Sequence, residues 1–407
     1  MKKITNPNFI YIIAFIIPFL IYSLEWSTIY PPLTSQLFLF FALTFLITFI
    51  IGVFIDKLPP LKYKPIPVFP YNGIVIAGLF LFYVLDCAYM GFVPLFTFSK
   101  GEATYGGSIN FGIPTIHVLV VTFNLFFALY LFHQFISNKK WSVFLWYLLA
   151  FVPFVFLIQR SNIMYIVIGS VFMYFISQKR LSFKRIFGMV AFAVFAIYMF
   201  GFLGNVRSAN GDSSYIPRSS GATSSFMESG IPKEFYWGYL YIASPMANLQ
   251  NNINVEQKVQ PDYLGFAVFE MTPDFLSKKL AEVYAIQRRE FNQINSFLNV
   301  GTIYARAFSF LSWSGMFIIF LYLMGLMNLY YIVIRKSYMY GVSGISMMFT
   351  LIAIATFENS IWFSAYSFPL FYPFLFSIVR GILKAGKFKS LNKISRQSAL
   401  RAINITP

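Results

Sequence analysis

The sequence predicts an all-α polytopic integral membrane protein with about ten transmembrane helices and one large, partly helical periplasmic loop. Of its 407 residues, 58% are hydrophobic and 11% are charged, whereas a soluble domain carries about a quarter charged residues. The mean hydropathy is +0.67. Apolar stretches recur along the chain at lengths near the roughly 20 residues that a membrane-spanning helix needs. A long, more polar segment, 205–311, separates the last three stretches from the others.

The predicted spans follow the apolar stretches in order. They cover residues 9–25, 35–55, 73–90, 115–136, 142–158, 162–177, 186–204, 312–334, 339–357 and 362–381. The first stretch follows two lysines, as a secretory signal does, but it is long and Glu25-Trp26-Ser27 is a poor cleavage site, which favours a retained span. The predicted regions are therefore spans 1–7 (1–204), the large loop (205–311), spans 8–10 (312–381) and a basic cytoplasmic tail (382–407).

Lysine and arginine positions set the predicted orientation, because these residues are enriched in short cytoplasmic loops. With the N-terminus in the cytoplasm, alternation of the spans places most of the 31 basic residues on that side, together with only Asp56 of the 14 acidic ones. The basic set is Lys2, Lys3, Lys57, Lys62, Lys64, Lys139, Lys140, Lys179, Arg180, Lys184, Arg185, Arg335, Lys336, Arg380, Lys384, Lys387, Lys389, Lys393, Arg396 and Arg401. The prediction is a multi-pass protein of the bacterial inner membrane with both termini cytoplasmic.

Composition excludes several function classes. The net charge of +17 is explained by the lipid bilayer as partner, so no nucleic acid is expected. The chain has no GxxxxGK[ST] or GxGxxG phosphate loop and no HExxH or CxxC motif. Two histidines and the single cysteine, Cys87, are too few for a His/Cys metal site. We therefore expect neither a metal nor another cofactor.

The large loop has distinct parts. Residues 206–231 are rich in Ser, Gly and Asn and are predicted to be mobile. Residues 233–252 combine aromatic residues with asparagines and predict a helix at the membrane interface. Thr272-Pro273-Asp274 predicts a helix start, with threonine as N-cap and proline in the first helical position.

Charged residues at the ends of several spans converge on the outer face. Arg160 interrupts a nearly continuous apolar stretch, where a charge is costly and favours function. Arginine binds phosphate oxygens in pairs, so several arginines at one depth predict a pyrophosphate ligand. An arginine at a helix end can also serve only to reach water, and Asp86 and Glu358 can simply pair with these arginines. The sequence alone does not choose between a pyrophosphate-binding role and a structural role for these arginines.

The sequence resembles the Wzy-type oligosaccharide repeat-unit polymerases, which are the O-antigen and capsule polymerases of bacterial envelopes. The resemblance extends over most of the chain and rests on the order of several short motifs. These are Gly91-Phe92-Val93-Pro94-Leu95-Phe96, Phe111-Gly112-Ile113-Pro114-Thr115-Ile116-His117, Gln159-Arg160-Ser161-Asn162, Gly204-Asn205-Val206-Arg207, Tyr236-Trp237-Gly238-Tyr239-Leu240-Tyr241-Ile242-Ala243-Ser244-Pro245-Met246-Ala247-Asn248-Leu249 and Asn299-Val300-Gly301-Thr302.

The resemblance implies a glycosyltransferase that joins oligosaccharide repeat units carried on undecaprenyl pyrophosphate at the periplasmic face, making O-antigen or capsular polysaccharide. It implies no metal or nucleotide, and a chain-length regulator as an additional partner. Together with the charges above, it leads us to expect His117, or else Glu102, as the catalytic base. The expected pyrophosphate-binding residues are Arg160, Arg207, Arg289 and Arg306. The expected substrate-binding residues are Arg218, Arg288, Tyr236, Trp237 and Asn248.

Three other functions remain alternatives. An O-antigen ligase uses the same donor with a lipopolysaccharide core as acceptor, and the sequence separates it poorly from a polymerase. A metal-dependent lipid-phosphate-sugar transferase usually has several acids in the first external loop, which here contains only Glu25. A transporter or flippase for lipid-linked oligosaccharides often shows inverted repeats and paired broken helices, whereas this chain has one large loop and charges at one face.

Overall fold

The computed structural model describes residues 5–59, 61–99, 111–178, 182–209, 211–256 and 258–383. These residues form helices, turns and loops, with no β-strand among them. In chain order the α-helices are α1 (Pro7–Tyr22), α2 (Ser35–Ile55), α3 (Asn72–Met90), α4 (Pro94–Ser99), α5 (Ile116–Asn138), α6 (Trp141–Leu149), α7 (Val152–Phe156), α8 (Arg160–Ser177), α9 (Phe183–Ala209), α10 (Tyr215–Ser219), α11 (Ser224–Met227), α12 (Phe235–Val255), α13 (Tyr263–Phe266), α14 (Asp274–Tyr284), α15 (Ile303–Ile334), α16 (Gly341–Ile354) and α17 (Ser364–Ser367). A π-helical turn (Ala267–Met271) follows α13, and a 3-10 turn (Phe368–Leu370) follows α17. Residues 371–383 continue as helix, so α17, the 3-10 turn and this segment together form one long helical stretch, Ser364–Leu383.

Each of the ten predicted apolar stretches contains helix. Among the described residues, seven helices are long and apolar enough to cross a membrane: Ser35–Ile55, Asn72–Met90, Ile116–Asn138, Arg160–Ser177, Phe183–Val206, Ile303–Ile334 and Ser364–Leu383. The other three apolar helices are shorter: Pro7–Tyr22, Trp141–Phe156 and Gly341–Ile354. The chain therefore has the helical, apolar character of a polytopic membrane protein, while the count of ten spans stays a prediction.

Many apolar side chains lie on the outside of the helices. α2 has large exposed side chains such as Phe38, Leu39 and Phe54, and only 6% of the long apolar window of α9 is buried. Contiguous exposed apolar surface of this kind is unfavourable in water and favourable in lipid. The exposed surface therefore supports the membrane assignment.

The centre of the molecule is built around α5. Its apolar window is 67% buried, and α5, α8 and α16 pack against one another. Polar side chains on α5 bond across to neighbouring helices, as is common where helices meet in a membrane: Asn124 Nδ2 donates to the Tyr83 hydroxyl at 3.2 Å and to the Ala150 carbonyl at 3.1 Å. This core anchors the elements that pack around it.

The predicted large loop corresponds to the segment between α9 and α15, and it is partly helical as predicted. Its Ser- and Gly-rich beginning, which the sequence predicted to be mobile, instead forms α10 and α11 and bonds to the turn after α1. Thr28 N donates to the Gly221 carbonyl at 2.7 Å, and Thr223 N donates to the Trp26 carbonyl at 3.0 Å. These backbone bonds hold the segment in place.

The predicted interfacial helix is present as α12, but protein covers most of it. Tyr236, Tyr239 and Leu240 are at most 3% exposed, and the helix packs against α1, α9, α10 and α15. Its buried tyrosines therefore contact other aromatic side chains of the protein, while its position at the membrane interface stays a prediction. Among its aromatic residues Tyr241 is 40% exposed.

Two helix boundaries differ from the predictions. α14 begins at Asp274 with Pro273 as N-cap, one residue later than predicted. α15 begins at Ile303 and is kinked at Leu311 and Ser312, which have non-helical backbone angles. The predicted start at residue 312 marks this kink, because the apolar run begins there, while a separate helical piece precedes it.

Candidate functional site

Four parts of the chain enclose a cavity of about 290 Å³ beside the beginning of α15. They are the π-helical turn 267–271, the non-helical segment 286–302 (the strap), the first turns of α15, and the loop 355–363 after α16. The charged residues that line the cavity are Glu270, Arg288, Arg306 and Glu358. These four residues are spread over 89 positions of the chain and meet only in the folded protein.

The two arginines are held against aromatic rings. The guanidinium of Arg288 lies 3.4 Å from the ring centre of Trp362, and that of Arg306 lies 5.2 Å from the ring centre of Phe291. Arg306 also pairs with the exposed Glu290 at 3.3 Å. Arg288 Nε and Arg306 Nη1 are buried and have no hydrogen-bond partner among the described residues. A buried donor without a partner is costly, so both groups are well suited to an anionic ligand.

The carboxyl group of Glu270 is fully buried. Asn359 Nδ2 donates to Glu270 Oε2 at 2.8 Å and to the Glu270 carbonyl at 2.9 Å. Glu270 Oε1 has no hydrogen-bond partner in the described part of the chain. Burial raises the pKa of Glu270 to about 7, against the opposing effects of Arg288, Asn359 and Arg306. A carboxyl group with this pKa can gain or lose a proton near neutral pH.

Glu358 supplies the second carboxyl group of the cavity. Burial raises its pKa to about 6, while the Tyr366 hydroxyl and the two arginines oppose the rise. Burial and the charge of Arg306 lower the pKa of Arg288 to about 10, so Arg288 remains positively charged at neutral pH. The cavity thus combines two fixed positive groups with two carboxyl groups that bind protons more tightly than usual.

Asparagines on α12 hold the strap in position. The side chain of Asn248 donates to the carbonyls of Leu298 and Val300 and accepts from Ile294 N. Asn252 Oδ1 accepts from Asn292 N at 3.0 Å. Because these side chains pair the backbone groups of a non-helical segment, the strap keeps one conformation without being part of a sheet. Arg288 is thereby kept close to Arg306.

The predicted base His117 lies elsewhere. His117 Nδ1 and Asp86 Oδ2 are 2.8 Å apart, and Asp86 Oδ1 accepts from Ile113 N at 2.9 Å. A Cβ on Gly112 would lie 2.5 Å from His117 Nδ1, so glycine is needed for this packing. The imidazole does not line the cavity and fastens the start of α5 to the end of α3. Glu102, the second predicted base, lies outside the described residues.

Of the four arginines predicted to bind pyrophosphate, Arg306 lines the cavity and Arg289 does not. Arg289 Nη1 donates to the carbonyls of Gln260 and Ser309, at 2.8 Å and 3.0 Å. Arg160 is the exposed first residue of α8 and does not line the cavity. Arg207 lies in α9, and its side chain is outside the described part of the structure.

The residues predicted to bind substrate separate into three groups. Arg288 lines the charged cavity, and Trp237 lines a larger neighbouring cavity. Tyr236 and Asn248 are fully buried and bonded to protein, so their contacts are those of packing residues. Arg218 is exposed and pairs with Asp212 at 3.0 Å.

Glu270 was not predicted from the sequence, and Glu358 was considered only as a partner for the arginines. A signal for Glu270 was present, because it is the one acidic residue of the otherwise apolar run 263–271, where a charge needs a partner or a function. In the described part of the chain, no three His, Cys, Asp or Glu side chains come together as a metal ion would require. The chain matches no protein-family model, no curated protein and no solved structure.

Proposed function

We propose that this protein is a glycosyltransferase of the bacterial inner membrane that polymerises undecaprenyl-pyrophosphate-linked oligosaccharide repeat units at the periplasmic face. One observation carries the proposal. Three buried polar atoms that have no hydrogen-bond partner among the described residues belong to side chains lining the same cavity: Arg288 Nε, Arg306 Nη1 and Glu270 Oε1. Transfer from a pyrophosphate donor requires positive groups that stabilise the anionic leaving group and a base that accepts a proton.

The proposed reaction is a single group transfer. A hydroxyl oxygen of the acceptor sugar forms a bond to the anomeric carbon of the donor sugar. The bond from that carbon to the pyrophosphate oxygen breaks, and the electron pair leaves with the lipid pyrophosphate. The hydroxyl proton passes to a base. The leaving group is stable as an anion, so it needs positive charge around it and no proton from an acid.

Arg288 and Arg306 are the proposed pyrophosphate ligands. A guanidinium group donates two parallel hydrogen bonds to phosphate oxygens, and the aromatic rings under both groups fix their planes. Negative charge grows on the pyrophosphate as the bond breaks. Fixed donors in a partly buried site stabilise that charge more than water does.

Glu270 is the proposed base, in place of the predicted His117 and Glu102. Its Oε2 is held by Asn359, which leaves Oε1 to accept the proton from the acceptor hydroxyl. Glu358 lies across the same cavity, and its negative charge helps to keep the two arginines oriented before substrate binds. The orientation of the molecule, the ten spans, the cytoplasmic termini and a chain-length regulator as partner belong to this proposal.

The direct test is purified protein in lipid nanodiscs with the lipid-linked repeat unit extracted from the same host. We expect a ladder of polymer and free undecaprenyl pyrophosphate. R306A should lower the rate about 100-fold or more, the usual cost of removing one charge-stabilising donor. The matched control is R185A, an exposed arginine at the start of α9, which should keep the wild-type rate.

The same assay separates the alternatives. A ligase would leave the repeat unit unpolymerised and would transfer it once to added lipopolysaccharide core. A transporter would move labelled lipid-linked oligosaccharide across sealed vesicles without forming polymer. Either of these outcomes, with folded protein, would overturn the proposal.

A further inference from the structure

A second cavity of about 470 Å³ adjoins the charged one. The two cavities share Asn299 and Val300 of the strap as lining residues. Of the described residues that line the larger cavity, none is Lys, Arg, His, Asp or Glu. Its volume is in the range of small-molecule sites, about 300–1,000 Å³. A ligand that fills it is therefore neutral where it contacts the protein, and it can extend into the charged cavity.

Aromatic side chains form one wall of this cavity. Trp237 Nε1 donates to Asn205 Oδ1 at 2.7 Å, and a Cβ on Gly204 would lie 2.8 Å from the indole ring. The indole is thus fixed on α9 by one bond and one close contact. Tyr241 stacks on Phe357, with ring centres 6.1 Å apart and planes inclined by 4°. Held rings of this kind offer flat apolar faces with polar edges.

Polar groups face the cavity as well. Ser220 is fully buried, and its Oγ has no hydrogen-bond partner among the described residues. The Ser220 carbonyl already accepts from Ser27 Oγ and from the Tyr236 hydroxyl, so the backbone is bonded while the hydroxyl is not. A buried hydroxyl without a partner in a cavity wall is a place for a ligand hydroxyl. Asn299 adds an amide at the boundary with the charged cavity.

We propose that the larger cavity is a subsite for one neutral glycosyl ring of the lipid-linked substrate. The inference rests on the proposed function and names where that substrate's sugar is bound. Flat apolar faces match the C–H face of a pyranose ring, and Ser220 and Asn299 match its hydroxyl groups. The ring belongs either to the donor, next to the pyrophosphate, or to the acceptor, which presents the attacking hydroxyl.

The test measures sugar binding without lipid or pyrophosphate. The probe is the repeat-unit oligosaccharide released by mild acid from the host's own lipid-linked pool, titrated calorimetrically into the full chain in nanodiscs. We expect saturable binding. S220A should raise the Kd about fivefold, which corresponds to one neutral hydrogen bond of about 1 kcal/mol. W237A should raise the Kd about tenfold through lost ring contact, with W237F in between.

The control is W141A, which removes a tryptophan that is 73% exposed at the start of α6, and it should bind as the wild type does. S220A should also leave the Tm unchanged, because its hydroxyl has no bond to lose, whereas a structural role would lower the Tm. If the methyl glycoside of the reducing-end sugar competes, the bound ring is that of the donor. If the methyl glycoside of the non-reducing-end sugar competes, the bound ring is that of the acceptor.

The results for the two proposals are distinguishable. Saturable binding with Kd values in the expected order, but no polymer formation, would support the sugar subsite and contradict the polymerase function. Polymer formation with equal Kd values for wild type, S220A and W237A would contradict the sugar subsite and support the polymerase function. Absence of saturable binding to the wild-type protein also overturns the subsite.

Discussion

Glu270 is the residue whose surroundings differ most from those of an ordinary glutamate. It is fully buried, and it is bonded through one carboxylate oxygen to Asn359. The nearby Arg288 and Arg306 offset only part of the effect of burial on its pKa. This balance keeps the carboxyl group close to half-protonated at neutral pH, where a general base works best.

The first prediction concerns the role of Glu270 as base. E270Q keeps the shape of the side chain and removes the proton acceptor, so the polymerisation rate should fall by about 100-fold or more. In the wild type, kcat/KM should rise with pH up to about 7, since the pKa of Glu270 is about 7 and the base acts only when deprotonated. E282Q, an exposed glutamate on α14, is the control. A wild-type rate in E270Q would contradict the assignment.

The second prediction concerns the pH dependence of stability. The pKa of Glu270 is raised from 4.5 to about 7 in the folded protein. Below pH 4.5 both folded and unfolded states hold the proton. Between 4.5 and 7 only the folded state holds it fully, so the contribution of this group to stability is lost as pH rises.

We therefore expect the Tm of the wild type to fall relative to that of E270Q between about pH 4.5 and pH 7, and the difference to level off above that range. Other titrating groups cancel in this comparison because both proteins contain them. Thermal unfolding in nanodiscs across the pH series provides the measurement. A Tm difference that does not vary with pH would show that the pKa of Glu270 is not raised.

Arg288 and Arg289 show how two adjacent, chemically identical residues acquire different roles. Arg288 stacks on Trp362 and lines the charged cavity. Arg289 donates to two backbone carbonyls. The two neighbouring side chains of the strap therefore have different surroundings, one at the cavity and the other at the kink of α15.

At the scale of elements, the kink in α15 needs its own hydrogen bonds. A break in a helix leaves carbonyl groups without their usual donors. Here the Phe310 carbonyl accepts from Asp262 N at 3.1 Å, and the Ser309 carbonyl accepts from Arg289 at 3.0 Å. The kink lies between Arg306 and the long apolar part of the helix, so it sets the direction in which Arg306 enters the site.

The third prediction tests this bonding. R289A should lower the free energy of unfolding by about 1.5–3 kcal/mol, the usual contribution of a hydrogen bond made by a charged group, chiefly through the loss of the bond to the partly buried Ser309 carbonyl. The control is R218A, which breaks an exposed ion pair and should cost about 0–1 kcal/mol. Chemical unfolding monitored by tryptophan fluorescence compares the two variants. Equal stability losses would mean that Arg289 does not support the kink.

The strap is the second element that shapes the site. Its backbone bonds go to side chains of α12 instead of to a neighbouring strand. Asparagine is suited to this because one side chain both donates and accepts. α12 thus fixes the strap on one side and supplies Trp237 and Tyr241 to the larger cavity on the other.

At the scale of the whole molecule, both cavities lie on one side of the long helices. They are built from the segment between α9 and α15 and from the loop after α16. The basic loops lie at the other ends of the helices, for example at Lys139 and Lys140 between α5 and α6. From the positive-inside rule we predict that the cavities face the outer side of the membrane.

The fourth prediction tests this orientation by labelling introduced cysteines after the single native cysteine, Cys87, has been replaced by alanine. In a C87A background, S224C in α11 should react with a membrane-impermeant maleimide in intact spheroplasts. K140C at the other end should react only after lysis. Both positions are exposed, so accessibility to the reagent differs only by the side of the membrane. The reverse labelling pattern would invert the predicted topology.

Helix positions were predictable from the sequence, and the reason is general. In lipid, a backbone must satisfy its own hydrogen bonds, so a long apolar run is helical almost regardless of its neighbours. Helix accordingly occupies every predicted apolar stretch. Helix boundaries that depend on tertiary contacts were not predictable in this way. At Ile303, for example, a helix begins before the apolar run does.

The site was only partly predictable. The sequence alone determined the apolar helices, the basic character of several short loops, and the concentration of polar residues in one long segment. Only the tertiary structure decided that Glu270, Arg288, Arg306 and Glu358 share a cavity, while His117 and Arg289 bond to other partners. The reason is that a side chain's direction depends on helix rotation, on the kink at Ser312 and on side-chain bonds between distant residues, such as the bond between Asn359 and Glu270, which are 89 positions apart, and none of these is encoded in local sequence pattern.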